Sequence, residues 1–312
     1  MHFVNAKSIL TPHSMNIYRG CTHGCIYCDS RSKCYQFTHD FEDIEVKQNA
    51  PELLEEALRK KRKRCMIGTG AMCDPYIPAE KDLCLMRRCL EIIEKYSFGA
   101  TLQTKSDLVI RDLDILERIN RKTKAVVQMT LTTADDALSR LVEPCVCPTS
   151  RRFEVLCECR ARGIPTVVWF SPLLPFLNDT QENVDGIVDY CARAGVKAII
   201  CFGIGLTLRE GNREYFYDAL DRIAARGEAS GVAGSGAEVC SVFAALAGQP
   251  SLKQRYIKTF GYNYIVSSPR EKELMAHLAE KCRAHGIMLG TDSVFKWMEE
   301  FPEPAPQQLE LF

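Results

Sequence analysis

Short apolar or β-branched runs alternate with amphipathic helical stretches along most of the chain, and this alternation constrains the fold more than any other feature. Candidate strands lie at residues 15–18, 65–71, 100–104, 125–131, 165–170 and 198–202, with helices between them at 51–63, 79–96, 112–120, 151–162 and 182–194. Six strands joined by helical crossovers predict an α/β fold with a parallel sheet, either doubly wound or curled into a barrel. In both cases ligands gather at the carboxyl ends of the strands. After Leu208 the pattern loosens into stretches at 213–222 and 251–260 and a helix at 270–285, read as a C-terminal helical extension covering the sheet. The expected organisation is one barrel over 1–210 and an extension over 211–300, with a flexible insertion at 224–250. A disordered tail at 301–312 completes it. Within that insertion, 11 of the 14 residues from Ala224 to Ala237 are Ala, Gly or Ser, too poor in large apolar groups to pack.

Forty basic and forty acidic residues cancel, so no global field draws the protein to nucleic acid or to a membrane. The opening residues lack a secretory signal, and no apolar run approaches the roughly 20 residues that cross a bilayer. A cytoplasmic protein without a membrane partner is expected. In that compartment the 16 cysteines cannot be a disulfide framework, which leaves metal ligation, catalysis or packing.

Three of those cysteines, Cys21, Cys25 and Cys28, form a C-x3-C-x2-C loop directly after the first strand, with Tyr27 before the last. A closed structural zinc site wants four tetrahedral ligands, usually as two separated pairs. A 4Fe-4S cluster held by three thiolates keeps one iron open to a small molecule. The spacing, the aromatic and the position after the first strand resemble the cluster loop of the radical S-adenosylmethionine superfamily. The resemblance implies a partial (β/α)6 TIM-like barrel, a 4Fe-4S cluster on these three cysteines, and S-adenosylmethionine chelated at the open iron. It also implies reductive cleavage to methionine and a 5′-deoxyadenosyl radical, fed by an electron donor such as flavodoxin or ferredoxin.

Further segments resemble a narrower group, the radical proteins related to spore photoproduct lyase, which repairs a thymine dimer in DNA. They are NIYRGCTHGCIYC, GTGAMCDPYIPAE, QTKSDLVIRDLDIL, EPCVCPTSRRFEVL and SPLLPFLNDT, ordered along successive strand ends. By this resemblance Lys105 contacts the S-adenosylmethionine carboxylate, Thr130 lies near the cofactor, and Cys73 and Asp74 meet its amino group or ribose. Glu143 and Arg152 match a recurrent carboxylate and guanidinium that either pair at the barrel top or reach the cofactor. Asn178 and Asp179 follow the fifth strand, where a loop turn is the alternative. Two positions depart from the lyase pattern. Ala71 stands where a hydrogen-donating cysteine is expected, with Cys73 two residues on as the catalytic candidate, and Asp29 replaces a tyrosine after the last cluster cysteine. A related radical reaction on another substrate therefore competes with dimer repair.

Other signals are weaker. The paired cysteines Cys145/Cys147 and Cys157/Cys159 read as packing, since free cysteine behaves as a small apolar residue and the second pair, two apart on a helix, diverges too far to face one ion. RKKRKR, from Arg59 to Arg64, reads as a solvated helix end on the side of the barrel away from the cluster loop. The terminal QLELF resembles the peptide by which bacterial polymerases and repair proteins dock on the DNA sliding clamp. Gln308, Leu309, Leu311 and Phe312 would bind that partner from a proline-rich tether. The favoured function is a radical enzyme acting on damaged or modified DNA. A radical enzyme on a small molecule or protein, and a non-enzymatic iron-sulfur or zinc adaptor associated with DNA, stay open as alternatives.

Overall fold

The computed structural model describes residues 1–230 and 251–302. Its centre is an eight-stranded sheet that runs Leu10–Thr11, Ser14–Met15, Met66–Thr69, Gly99–Thr104, Ala125–Thr130, Thr166–Trp169, Ala198–Ile200, Met288–Leu289 in spatial order. Every neighbouring pair is parallel except the first, which is an antiparallel hairpin. The two edge strands do not pair with each other, so the sheet is an open, partial barrel. The expected six parallel strands are all present. A seventh, Met288–Leu289, comes from the segment read as an extension and pairs with Ala198–Ile200, so residues beyond 211 also complete the sheet.

Period-2 alternation divides each strand between two environments. The fourth barrel strand, Ala125–Thr130, is buried at every position. Its Val127 and Met129 join Ile115, Leu116 and Ile119 of the flanking helix in the main core. Its Val126 belongs to a separate apolar group with Met66, Val167, Ala198 and Ile200, closed off by Val294 and Met298 of the helix Thr291–Glu299. Above that apolar floor on the same face lies a polar layer. There Trp169 Nε1 donates to Gln128 Oε1 at 2.6 Å and Gln128 Nε2 donates to Thr101 Oγ1 at 2.7 Å. The barrel interior is thus dry at one end and polar at the carboxyl ends of the strands.

Three sequence expectations change. The helix expected over 79–96 breaks into Glu80–Leu83 and Leu85–Lys95, with Cys84 left-handed between them at φ 51°. The cause is Glu80, which is fully buried and accepts from the first amides of the second helix, Leu85 N–H and Met86 N–H, both at 3.0 Å. The first strand expected over 15–18 splits likewise. Ser14–Met15 stays in the barrel, while Tyr18–Arg19 joins a small sheet with His2–Val4 and Glu45–Lys47. Finally, the flexible insertion expected from 224 does not begin there, because the helix Asn212–Ser230 continues through the first Ala/Gly-rich residues. The rest of that expectation, 231–250, and the QLELF tail lie outside the described residues. No helix among the described residues is long and apolar enough to cross a membrane.

A second apolar group joins the C-terminal segment to the cysteine loop. Phe216, Tyr217, Tyr256, Phe260 and Leu206 pack with Cys25, Ile26 and Tyr27 and with Leu138 and Val142 of the helix Asp136–Val142. The extension therefore forms part of the support of the loop.

Candidate active site at the carboxyl ends of the barrel strands

The cysteine loop is held by three backbone bonds to two separate segments, around Phe41 and around 142–145. Cys21 N–H donates to Phe41 O at 3.1 Å, Ile26 N–H to Val142 O at 3.0 Å, and Cys145 N–H to His23 O at 3.1 Å. Gly20 begins the loop at φ +89°, and a Cβ there would sit 2.4 Å from Phe41 O, so only glycine fits this approach. The loop forms one wall of a cleft. The opposite wall comes from the ends of the second, third and fourth barrel strands, with Ala71, Met72, Cys73, Asp74, Gln103, Lys105 and Thr130 on it.

Asp74 ties those strand ends together. Its Oδ1 accepts from Tyr76 N–H at 2.8 Å and from Thr104 Oγ1 at 2.7 Å. Its Oδ2 accepts from Lys105 N–H at 2.8 Å and lies 3.5 Å from His23 Nδ1. With both oxygens occupied by protein donors, Asp74 shapes the cleft and orients the Lys105 backbone. His23, buried in the loop, was not singled out from sequence; its signal was a titratable side chain between the first two cluster-type cysteines. Burial pulls His23 down, but the Asp74 carboxylate and the Cys21 thiolate outweigh it and raise it above its ordinary value.

The three thiols differ. A hydrogen bond from Cys73, assisted by His23 and working against burial, holds Cys21 well below its ordinary value. Burial pushes Cys25 and Cys28 up, with Lys105 partly offsetting it in both. Cys73 is pushed far up by the neighbouring Cys21 thiol and by burial, and its Sγ lies 2.7 Å from Gly20 O, the carbonyl next to Cys21. The residue read as a hydrogen donor to substrate thus directs its S–H toward the cluster loop.

Lys105 carries the cation of the cleft. Burial lowers it, but Cys25, Glu143 and Asp74 together raise it, so it stays charged. Its Nζ lies 6.0 Å from the centre of the Tyr27 ring, and no carboxylate stands within 4 Å of it among the described residues. Thr130 Oγ1 is buried on the cleft wall without a hydrogen-bond partner. Arg152 stands elsewhere. Its guanidinium is fully buried outside the cleft wall, 2.6 Å from Glu143 Oε2, and donates to Cys147 O at 2.9 Å and Thr130 O at 3.1 Å. Glu143 in turn accepts from Tyr27 OH. Burial would raise Glu143, but Arg152, Lys105 and Tyr27 hold it below the usual carboxylate range. The pair locks Tyr27 and the end of the fourth strand in place. Asn178 and Asp179 organise their own turn: Asn178 bonds Leu174 N–H and Thr132 O, and Asp179 bonds Phe176 N–H and Ser268 Oγ.

Cys21, Cys25 and Cys28 line the cleft beside an ammonium with no carboxylate partner and an unpartnered hydroxyl. Three thiolates that leave one iron of a 4Fe-4S cluster open, next to a cation and a hydroxyl, fit a cluster beside a ligand that carries a carboxylate. The family model of the Radical SAM superfamily matches residues 15–191, more than half of the chain. The chain belongs to the radical SAM superfamily. Members of this superfamily use a 4Fe-4S cluster and S-adenosylmethionine, and the cleft has the donors for both.

Among curated relatives, uncharacterized proteins of Mycobacterium bovis and Mycobacterium tuberculosis are 29% identical over 223 residues, covering 68% of this chain. The chain spans 64% of their length. An uncharacterized protein of Methanocaldococcus jannaschii is 30% identical over 187 residues, covering 57% of this chain and 69% of its own. Among solved structures, spore photoproduct lyase complexed with dinucleoside spore photoproduct superposes with a TM-score of 0.59 at 12% identity, covering 92% of this chain and 80% of that one. A variant of the same lyase with bound AdoMet gives 0.57 at 13% identity, over 89% and 75%. At these identities the likeness is one of fold.

Proposed function

We propose that this chain is a radical SAM enzyme in which Cys21, Cys25 and Cys28 hold the cluster, and that it acts on a damaged or modified base in DNA. With cluster and S-adenosylmethionine bound, one-electron cleavage of the sulfonium supplies methionine and a 5′-deoxyadenosyl radical that takes hydrogen from the substrate. The chain's own residues do the rest. Lys105 would hold the methionyl carboxylate as a point charge and Thr130 Oγ1 would offer the cofactor a hydrogen bond, with Tyr27 on the cleft wall beside them. Asp74 and the Glu143–Arg152 pair position these groups from behind. The observation that carries the cofactor reading is that Cys21, Cys25 and Cys28 line one cleft with Lys105, whose ammonium has no carboxylate partner among the described residues. The DNA reading is supported by the fold likeness to a lyase complexed with dinucleoside spore photoproduct, which covers 92% of this chain, and by the QLELF tail.

Ala71 and Asp29 favour a different hydrogen-return route from that of the lyase pattern, and Asp29 is engaged by Tyr35 OH at 3.0 Å and Arg209 Nε at 3.4 Å. The test is an anaerobic assay of the reduced holoprotein on oligonucleotides carrying a thymine photoproduct, other modified bases or none. The DNA reading expects 5′-deoxyadenosine formation to rise with one modified oligonucleotide and that lesion to be consumed. Turnover indifferent to every DNA, but raised by a small molecule or peptide, would replace it with a non-DNA radical enzyme.

A further inference from the structure

Away from the cleft, the small sheet brings three metal-ligand side chains together. His2 and Glu45 are register partners in the parallel pair His2–Val4 with Glu45–Lys47, so they leave the sheet on the same face. His39 arrives from the loop before Glu45 and sets its ring edge-on to that of His2, centroids 4.9 Å apart at 86°. One donor atom from each of His2, His39 and Glu45 lies within 4.8 Å of the others, the tightest such trio among the described residues.

The proton positions favour ligation. His39 Nδ1 is 2.9 Å from Asp40 O; a carbonyl only accepts, so Nδ1 carries the hydrogen and Nε2 is left as a lone pair. That Nε2 is buried without a hydrogen-bond partner, 3.9 Å from Glu45 Oε2. His2 Nδ1 is 3.0 Å from Asp43 Oδ2, which likewise fixes the hydrogen there and frees Nε2. A carbonyl or carboxylate on the far nitrogen is the arrangement that orients metal-bound imidazoles. Nearby cations are occupied elsewhere. Arg19, the register partner of Glu45 on its other side, donates to Tyr35 O and Gln36 O at 2.9 and 3.1 Å, and Lys47 donates to Asn16 O at 2.8 Å. Glu45 therefore faces the His39 Nε2 lone pair, with the His2 ring beside both and no ammonium or guanidinium bonded to it.

We propose that His2, His39 and Glu45 form a second, mononuclear metal site that binds Zn2+, with Asp43 and the Asp40 carbonyl orienting the two imidazoles. Two neutral imidazoles and one carboxylate suit Zn2+ and leave a position for water, and the half-exposed His2 side provides entry. The ion would clamp the first strand and the 36–44 loop onto Glu45–Lys47. That strand's other neighbour, Tyr18–Arg19, runs directly into Gly20 and Cys21, and Cys21 N–H is bonded to Phe41 of the same loop. The site braces the backbone that presents the cluster.

The experiment is anaerobic titration of the reconstituted holoprotein with Zn2+ alone, removal of excess by gel filtration, and metal analysis. Co2+ in place of Zn2+ gives a visible spectrum that separates nitrogen and oxygen ligands from thiolates. Wild type should retain one Zn2+ per chain beyond its cluster iron, with a Co2+ spectrum lacking thiolate charge transfer. His39→Ala and the double variant His2→Ala/His39→Ala should lose it while keeping the far-UV circular dichroism of wild type. Asp43→Asn should bind about 10–100-fold more weakly. Wild type that retains no Zn2+ from a micromolar solution would overturn the site. So would histidine variants that retain as much as wild type, since the metal would then sit on thiols.

Discussion

At the scale of single residues, the cleft depends on side chains that lie behind its wall. Glu143 and Arg152 are both fully buried, and removing one partner of a buried pair leaves an uncompensated charge. Glu143→Gln should destabilise the apo protein by about 3–5 kcal/mol, read by denaturant unfolding at neutral pH. Because Glu143 is held below its ordinary value, the stability it contributes is present above about pH 4.3 and is lost as pH falls through its folded value. The gap between wild type and Glu143→Gln should therefore shrink in acid; a gap independent of pH would show that the carboxylate is not the charged partner. Lys105→Ala should weaken S-adenosylmethionine binding about 10–100-fold, the size of a charge-assisted hydrogen bond, and Lys105→Arg should recover only part. Equilibrium dialysis on the reconstituted protein measures both. The cysteine spacing made the loop legible from sequence, and the structure sets Lys105 and Thr130 on the wall of the cleft beside it. Asp74 lines the cleft with both oxygens taken by protein donors, and Arg152, read as a cofactor contact, lies outside the cleft wall against Glu143, because a motif does not record whether a polar group faces the cleft or a neighbouring side chain. His2, His39 and Glu45 carried no signal, since a trio scattered across a strand and a loop has no spacing to recognise.

At the scale of elements, the strands were readable because period-2 alternation and β-branched runs are local properties. The break at Cys84 was not, because it answers a tertiary demand: buried Glu80 must cap the second helix while Arg111 Nη2 reaches its Oε1 at 2.7 Å. Strand ends also carry the tightest backbone contacts. Gly70, at the end of the second barrel strand, has φ +101°, and a Cβ there would lie 2.1 Å from Gln103 O. Gly163 is left-handed too, at φ +68°, but its Cβ would meet nothing within 4 Å. Gly163→Ala should cost about 1–2 kcal/mol from conformation alone. Gly70→Ala should cost more and should also loosen the cleft. Thermal unfolding of the two variants gives the order, and equal losses would contradict the close approach.

At the scale of the whole molecule, the barrel and the C-terminal segment act as one support for the cysteine loop. Tyr256 lies fully buried among Phe216, Tyr217 and Phe260, donates to Pro175 O at 2.8 Å, and belongs to the apolar group that includes Cys25 and Tyr27. Tyr256→Ala should cost about 3–5 kcal/mol and lower the iron retained after reconstitution; full iron retention would separate the extension from the loop. The sequence placed an extension here but not its contribution to the sheet, because a strand as short as Met288–Leu289 has no period to detect. At the same scale, deleting Gln308–Phe312 should abolish binding to a bacterial sliding clamp in a surface-binding assay, and unchanged binding would remove that support for a DNA role.

The central claim is that three cysteines and the cleft beside them cleave S-adenosylmethionine. The most direct measurement is 5′-deoxyadenosine production by the anaerobically reconstituted, reduced protein, in wild type and in Cys25→Ala, with iron and sulfide measured in both. The account predicts methionine and 5′-deoxyadenosine from wild type and none from the variant. A wild-type protein with a fully loaded cluster and a competent reductant that forms no 5′-deoxyadenosine, even with modified DNA present, would contradict it.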